Sequence, residues 1–167
     1  MTDLVGVVVG AVDVGEADRI LRLLTVSEGR VAVVARGARS SRRRFAGVFD
    51  LGNRVRLEVR KGRGSLRSVQ GADVLATPRY TRTDLDRIAL LAYGCELCSA
   101  LAPEGEAAPK LTKLLDVWLD ILEDKEPVGS AARCALEAKA LTFAGLTPAL
   151  RTCANCGLAL DGAGWWD

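Results

Sequence analysis

The chain has 167 residues, 49% of them hydrophobic, with a net charge of +2 and no histidine. That length holds one large domain or two small ones, and the apolar content is too high for a disordered chain. The missing histidine excludes every His-based catalytic triad and every zinc site that needs imidazole.

The near-neutral total hides a polarity along the chain. Residues 1–80 carry 15 Lys plus Arg against 8 Asp plus Glu, and residues 81–167 carry 8 against 13. A basic module joined to an acidic one suggests that the first faces an anionic polymer. Of those 15 basic residues 14 are Arg, the side chain suited to bidentate phosphate contacts. Asp3 sits where a signal peptide would be basic, and no apolar run reaches the ~18 residues of a membrane span. Five cysteines, an odd number, point to a reducing cytoplasm rather than a disulfide framework. The expectation is a cytoplasmic, nucleoid-associated protein with no membrane partner.

The first predicted element is the β-branched run of residues 4–13, with Gly6 and Gly10 as bending points. Residues 19–25 fit either period. The turn Ser27-Glu28-Gly29-Arg30, leading straight into residues 31–36, decides for a strand in a hairpin. Residues 53–60 alternate strictly, with Val55, Leu57 and Val59 on one face and Arg54, Arg56, Glu58 and Arg60 on the other. A Gly-rich basic turn, Lys61 to Gly64, precedes a last strand within residues 65–76. Five short strands with such turns close most naturally into a small barrel, which removes sheet edges.

Residues 77–80 read as a linker, after which the period becomes helical. Asp84 or Thr83 caps a first helix with Leu85, Ile88, Leu91, Ala92, Cys95 and Leu101 near one stripe, stopped by Pro103 and Gly105. Pro109 opens a second helix, and Ser130 caps a third that carries Cys134, Leu136, Ala140, Leu141 and Phe143. The predicted architecture is α+β and multidomain. A five-stranded barrel spans 1–79, an α-helical domain spans 80–150, and a partial zinc-knuckle segment spans 151–167.

One constellation carries a functional signal. Arg36, Arg39, Arg42, Arg43 and Arg44 crowd into a loop, and Val31 to Phe49 contains no acid. With Lys61 and Arg63 in the next basic turn, and Arg54 and Arg56 on the wet face of the alternating strand, they predict a positive groove that tracks a phosphate backbone. Phe45, Phe49 and Tyr80 are the sole stacking candidates among them and read equally well as packing residues, so little base-specific readout is expected.

A second constellation is Cys153-Ala-Asn-Cys156-Gly157, a turn in which two thiolates grip one Zn²⁺. A complete site needs a second pair, so the sequence offers half a zinc site, the one cofactor expected. Cys95-Glu-Leu-Cys98 lies mid-helix and reads as two small core residues, with Glu96 solvated. The carboxylate pairs Asp84/Asp86 and Asp116/Asp120 are expected on caps or helix exteriors with no partnering base, and no catalytic constellation emerges. Two other readings stay open: a protein-interaction scaffold working through the acidic helical half, and a zinc or redox CxxC protein.

Several segments together resemble a known family. Gly15-Glu16-x-Asp18-Arg19-Ile20, Leu24-Thr25, Glu28-Gly29-Arg30 and Val34-Ala35-Arg36-Gly37-Ala38-Arg39 occur in the order and spacing of the bacterial recombination mediator family RecO. Ala92-Tyr93, Glu96-Leu97 and Ala144-Gly145-Leu146-Thr147-Pro148-x-Leu150, followed by Cys153-x-x-Cys156-Gly157, continue the likeness over the whole chain. The resemblance implies an N-terminal OB-fold, a helical domain and a four-Cys zinc element whose first pair is Cys153 and Cys156. It implies binding of single- and double-stranded DNA through Arg36 to Arg44, strand annealing, and contacts with RecR and single-strand-binding protein. The implied role is to help a recombinase load onto covered single strands, without turnover of a substrate.

Overall fold

The computed structural model describes residues 1–40, 45, 47–61, 66–153 and 155–160. Five strands, β1 (Thr2–Val14), β2 (Asp18–Thr25), β3 (Gly29–Ala35), β4 (Arg54–Arg60) and β5 (Arg67–Ala76), close into a barrel in the order β1-β2-β3-β5-β4. All pairings are antiparallel except β3 with β5, which run parallel through Val33–Arg67 and Val34–Ser68. This is the expected OB-fold barrel.

The long first strand makes closure possible. Its start pairs with β4 and its end with β2, and a register shift between Val8 and Gly10 bends it from one half of the barrel to the other. Gly6 sits at the crossing, where an added Cβ would lie 2.5 Å from the Leu24 carbonyl oxygen. Leu4, Val8, Leu21, Leu23, Val33, Val55 and Leu57 fill the interior, and Phe45 and Phe49 pack in the same cluster with ring centroids 4.9 Å apart. Those two rings are therefore core rather than stacking platforms.

Three helices follow: α1 (Leu85–Leu101), α2 (Pro109–Glu123) and α3 (Ser130–Phe143). They do not hang from the barrel on a free tether. Val7, Val9 and Leu24, on the outside of β1 and β2, join one apolar cluster with Leu91, Cys95, Cys98, Leu115, Trp118, Leu122 and Leu136. Trp118 donates its indole N–H to the Leu90 carbonyl at 3.0 Å, and a Cβ at Gly94 would collide with its ring. The Glu123 carboxylate accepts the backbone N–H groups of Arg79, Tyr80 and Thr81 and the Thr81 hydroxyl, which pins the connecting segment to α2.

Three sequence expectations are corrected here. The buried face of α1 is Arg87, Leu91, Gly94, Cys95 and Cys98, while Leu85 and Ile88 are exposed. The helix is rolled because Arg87 turns inward to cap the C-terminal end of α2, donating to the carbonyls of Leu122, Asp124 and Glu126 at 2.6–2.7 Å. The predicted α3 face also shrinks, since only Leu136 and Ala140 of that helix are buried. Ser130 is its first helical residue, and Gly129 stands at the cap without a side-chain bond. Cys95 and Cys98 do sit in the core, where burial pushes both thiols up to about 12.

Candidate nucleic-acid interface

Strand register sorts the basic residues by face. In-register partners point to the same side of a sheet, and the buried set marks the inner side. On the outer side one row runs Val12–Ile20–Val34–Ser68–Arg60 across β1, β2, β3, β5 and β4. The row beside it is Gly10–Arg22–Ala32. Arg36 lies one residue beyond the end of β3, past the Val–Ile row on the side away from Arg22. The outer β1–β2–β3 surface is thus a short apolar band with exposed Arg22 and Arg36 on its two flanks, and the same row continues across β5 to exposed Arg60, the last residue of β4, followed by Lys61. Arg22, Arg36, Arg60 and Lys61 make no ion pair or side-chain hydrogen bond among the described residues. In barrels of this topology the β2–β3 face and its flanking loops are where oligonucleotides lie.

The base of the arginine loop is anchored beside this band. The Gly37 N–H donates to the Asp18 carboxylate at 2.9 Å, and the Arg39 N–H donates to the Ala17 carbonyl at 3.0 Å. Arg39 also reaches the Gly15 carbonyl at 3.0 Å and the Asp13 carboxylate at 3.3 Å. Asp13 is shared with Arg19 at 2.7 Å, and the Arg19 bond holds its carboxyl below the usual range. One carboxylate is thus shared between two guanidinium groups. Arg42, Arg43, Arg44 and Arg63 lie outside the described residues.

The alternating strand divides its arginines. Arg60 joins the band, but Arg54 and Arg56 belong to the β1–β4–β5 side of the barrel, where Arg56 faces Val5 and Asp73 in register. Arg54 is held by α2. It donates to the Asp116 carboxylate at 2.7 Å, the Asp116 carbonyl at 2.8 Å and the Asp120 carboxylate at 2.9 Å. Burial alone would lower its pKa, yet those two carboxylates raise it. The Asp116/Asp120 pair on the exterior of α2 is thus engaged by a guanidinium cation in a structural ion pair. Arg67 is likewise committed, in a bidentate pair with Glu28 at 2.6 and 2.9 Å. Arg22 lies outside the set that the sequence pattern predicts. Its signal was an isolated Arg at an outward position of an otherwise apolar strand.

At the other end of the chain, Thr152 and Ala159 bridge a hairpin around Cys153 and Cys156. The Cys153 N–H donates to the Leu158 carbonyl at 2.8 Å, and Gly157 donates back to the Cys153 carbonyl at 2.9 Å with φ of 73°. The backbone N–H groups of Cys156 and Asn155 lower the Cys153 thiol. Such a knuckle fits half of a tetrahedral thiolate site. Among the described residues no group of three or more Cys, Asp or Glu converges to complete it.

Comparison with known proteins agrees with this fold. The family model described as "Recombination protein O N terminal" matches residues 1–78, and "Recombination protein O C terminal" matches residues 82–167. A DNA repair protein RecO from Pelobacter propionicus is 37% identical over 157 residues, covering 94% of this chain and 63% of that protein. Those from Myxococcus xanthus and Anaeromyxobacter sp. (strain K) are 40% and 43% identical, over 90% and 92% of this chain and 61% of each relative. The chain therefore spans a little over three fifths of the length of these relatives.

Proposed function

The chain belongs to the RecO family, and from that premise we propose that it is a non-catalytic DNA-binding mediator of recombinational repair. In this reading it binds single and double strands, anneals complementary strands, and helps load a recombinase onto single strands covered by single-strand-binding protein, in company with RecR. The observation that carries the reading is the outer row from β1 to the end of β4, along which Arg22, Arg36, Arg60 and Lys61 are left unpaired among the described residues while Arg54 and Arg67 are paired with carboxylates. Cations without internal partners release counterions when they meet phosphates, so affinity rests on salt-sensitive backbone contacts. Among the described residues the band carries no aromatic platform, which leaves bases free to pair with a second strand.

We assign Arg39 to the edge of this track and carry Arg42, Arg43, Arg44 and Arg63 as further phosphate contacts on the strength of the family resemblance. Arg54 and Arg56 are placed outside it. Cys153 and Cys156 are proposed as half of a Zn²⁺ site, whose role would be to tie down the segment after α3. Fluorescence anisotropy with labelled single- and double-stranded oligonucleotides tests the reading. The Arg36→Ala/Arg60→Ala/Lys61→Ala variant should bind about 30-fold more weakly and lower the single-strand salt slope by ~2. Unchanged affinity and slope would sink it.

A second reading, docking of a protein on the helical half, has one observation in its favour. A groove of about 400 Å³ between α2 and α3 is lined by Pro109, Leu114, Val117 and Phe143 and ringed by Lys110, Lys113 and Lys139. Its chemistry suits an acidic segment with a large apolar side chain. Loss of acidic-peptide binding in Lys113→Glu/Lys139→Glu, with DNA affinity intact, would support this reading.

A further inference from the structure

A notch on the candidate face lies where the barrel meets the helical half. It is a cavity of about 280 Å³ lined by Arg22, Arg30, Ala32 and Glu104. Its floor is made of small residues, because Gly10 and Ala32 flank Arg22 in the outer row. A Cβ on Gly10 would sit 3.9 Å from the Cβ and Cδ of Arg22, so the aliphatic stem lies along the glycine. The Arg22 guanidinium has no partner among the described residues.

Across the notch stands Arg30, from the neighbouring strand. One of its terminal nitrogens donates to the Ser99 carbonyl of α1 at 3.3 Å, and the other reaches the Glu104 carboxylate at 3.4 Å. Glu104 belongs to the α1–α2 loop, which is held on the β2–β3 turn by main chain. The Arg30 N–H donates to the Pro103 carbonyl at 2.9 Å, and the Gly105 N–H donates to the Arg30 carbonyl at 3.3 Å. Gly29 is required at that turn, since its φ is 58° and a Cβ would strike the carbonyls of Pro103 and Glu106.

Two guanidinium groups thus line one concavity against a single carboxylate whose side chain is 71% exposed. A long, exposed ion pair of this kind contributes little and is readily exchanged. The charge in the notch stays positive, and the carboxylate occupies the place where an anion with better geometry would sit. We propose that the Arg22–Arg30 notch is a phosphodiester subsite that carries the nucleic-acid track from the barrel onto the helical half, with Glu104 as an internal competitor for it. The proposal rests on the nucleic-acid reading of the outer band.

The test is anisotropy with a labelled oligo(dT) over a salt series, using the 167-residue chain. Arg22→Ala should bind roughly fivefold more weakly, with a salt slope smaller by ~0.7, the loss of one single-strand phosphate contact. Glu104→Gln should bind roughly threefold more tightly at low salt by removing the competitor. The double variant decides between a site and a diffuse field, because releasing Arg30 from the competitor should gain clearly less once Arg22 no longer shares the phosphate. Equal tightening by Glu104→Gln with and without Arg22 would overturn the subsite. So would an Arg22→Ala variant that binds like the parent while the Arg36/Arg60/Lys61 variant is weakened, which would leave the outer band standing. A parent chain with no salt-dependent binding would overturn both. Arg22 and Glu104 are exposed, so unfolding midpoints should not move and folding does not confuse the result.

Discussion

The barrel and the helical half treat charge in opposite ways. In the barrel, Arg22, Arg36, Arg60 and Lys61 are exposed with no partner among the described residues, and the acids that do pair sit near the end of β1, at turns or on α2. In the helical half the strongest electrostatic contacts point inward and hold helices together, through Arg87 on the end of α2 and Glu123 on the connecting segment. The net charge difference between the halves therefore understates the contrast. What matters is which charges the fold consumes and which it leaves for a ligand. Substitutions of consumed charges should cost stability, and substitutions of free ones should cost binding.

The largest effect on stability is expected at Arg87. It is 7% exposed, it serves carbonyls and no carboxylate, and its guanidinium lies 4.8 Å from the centre of the Tyr80 ring. Arg87→Met keeps the stem but strips the C-terminal carbonyls of α2 of their donors. The cost should be about 3 kcal/mol in urea unfolding, with little rescue by Lys, which cannot span several carbonyls with a planar fork. A loss below about 1 kcal/mol would mean that water or a relaxed turn replaces it.

Glu123 should show a smaller effect with a definite pH signature. Burial raises its pKa, but the Thr81 hydroxyl and the N–H groups of Thr81, Tyr80 and Arg79 outweigh that and leave it below 4.5. A carboxyl depressed in the folded state contributes stability above its unfolded pKa and loses it as pH falls through the folded value. The parent chain should therefore lose stability progressively below about pH 4.5, and Glu123→Gln should lose less of it in that window. At neutral pH the variant should be destabilised by about 1 kcal/mol, because an amide oxygen accepts these bonds more weakly.

Much of this was legible in the sequence, and the failures share a cause. Strict alternation from Val55 to Arg60 gave β4 and its wet face, and Pro109 gave the start of α2. Hydropathy found Leu91 and Cys95 of the buried α1 face but missed the rest, because that face is organised by an arginine and by Gly94 beneath Trp118. Nor could it pair Arg54 with Asp116, 62 residues away. Register was the missing quantity. Arg54 and Arg60 share one side of one strand, yet barrel curvature carries the first to α2 and the second to the β3–β5 seam. The turn around Cys153 and Cys156 was readable because its geometry is local, set by backbone N–H groups within a few residues.

The smallest predicted effect is the most discriminating. Arg56 is exposed on β4, faces Val5 and Asp73 in register, and makes no ion pair among the described residues. By chemistry alone it equals Arg60, four positions further along the same strand and also unpaired among the described residues. If any free cation served, Arg56→Ala and Arg60→Ala would weaken oligonucleotide binding alike. If the β1–β2–β3 band is the track, Arg60→Ala should weaken binding several-fold and Arg56→Ala should stay within about twofold, since only the first removes a phosphate contact. Both variants should keep the stability of the parent within about 0.5 kcal/mol, because neither breaks a contact the fold uses. Equal losses would mean that the nucleic acid wraps the barrel, and free charge rather than face would then be the rule.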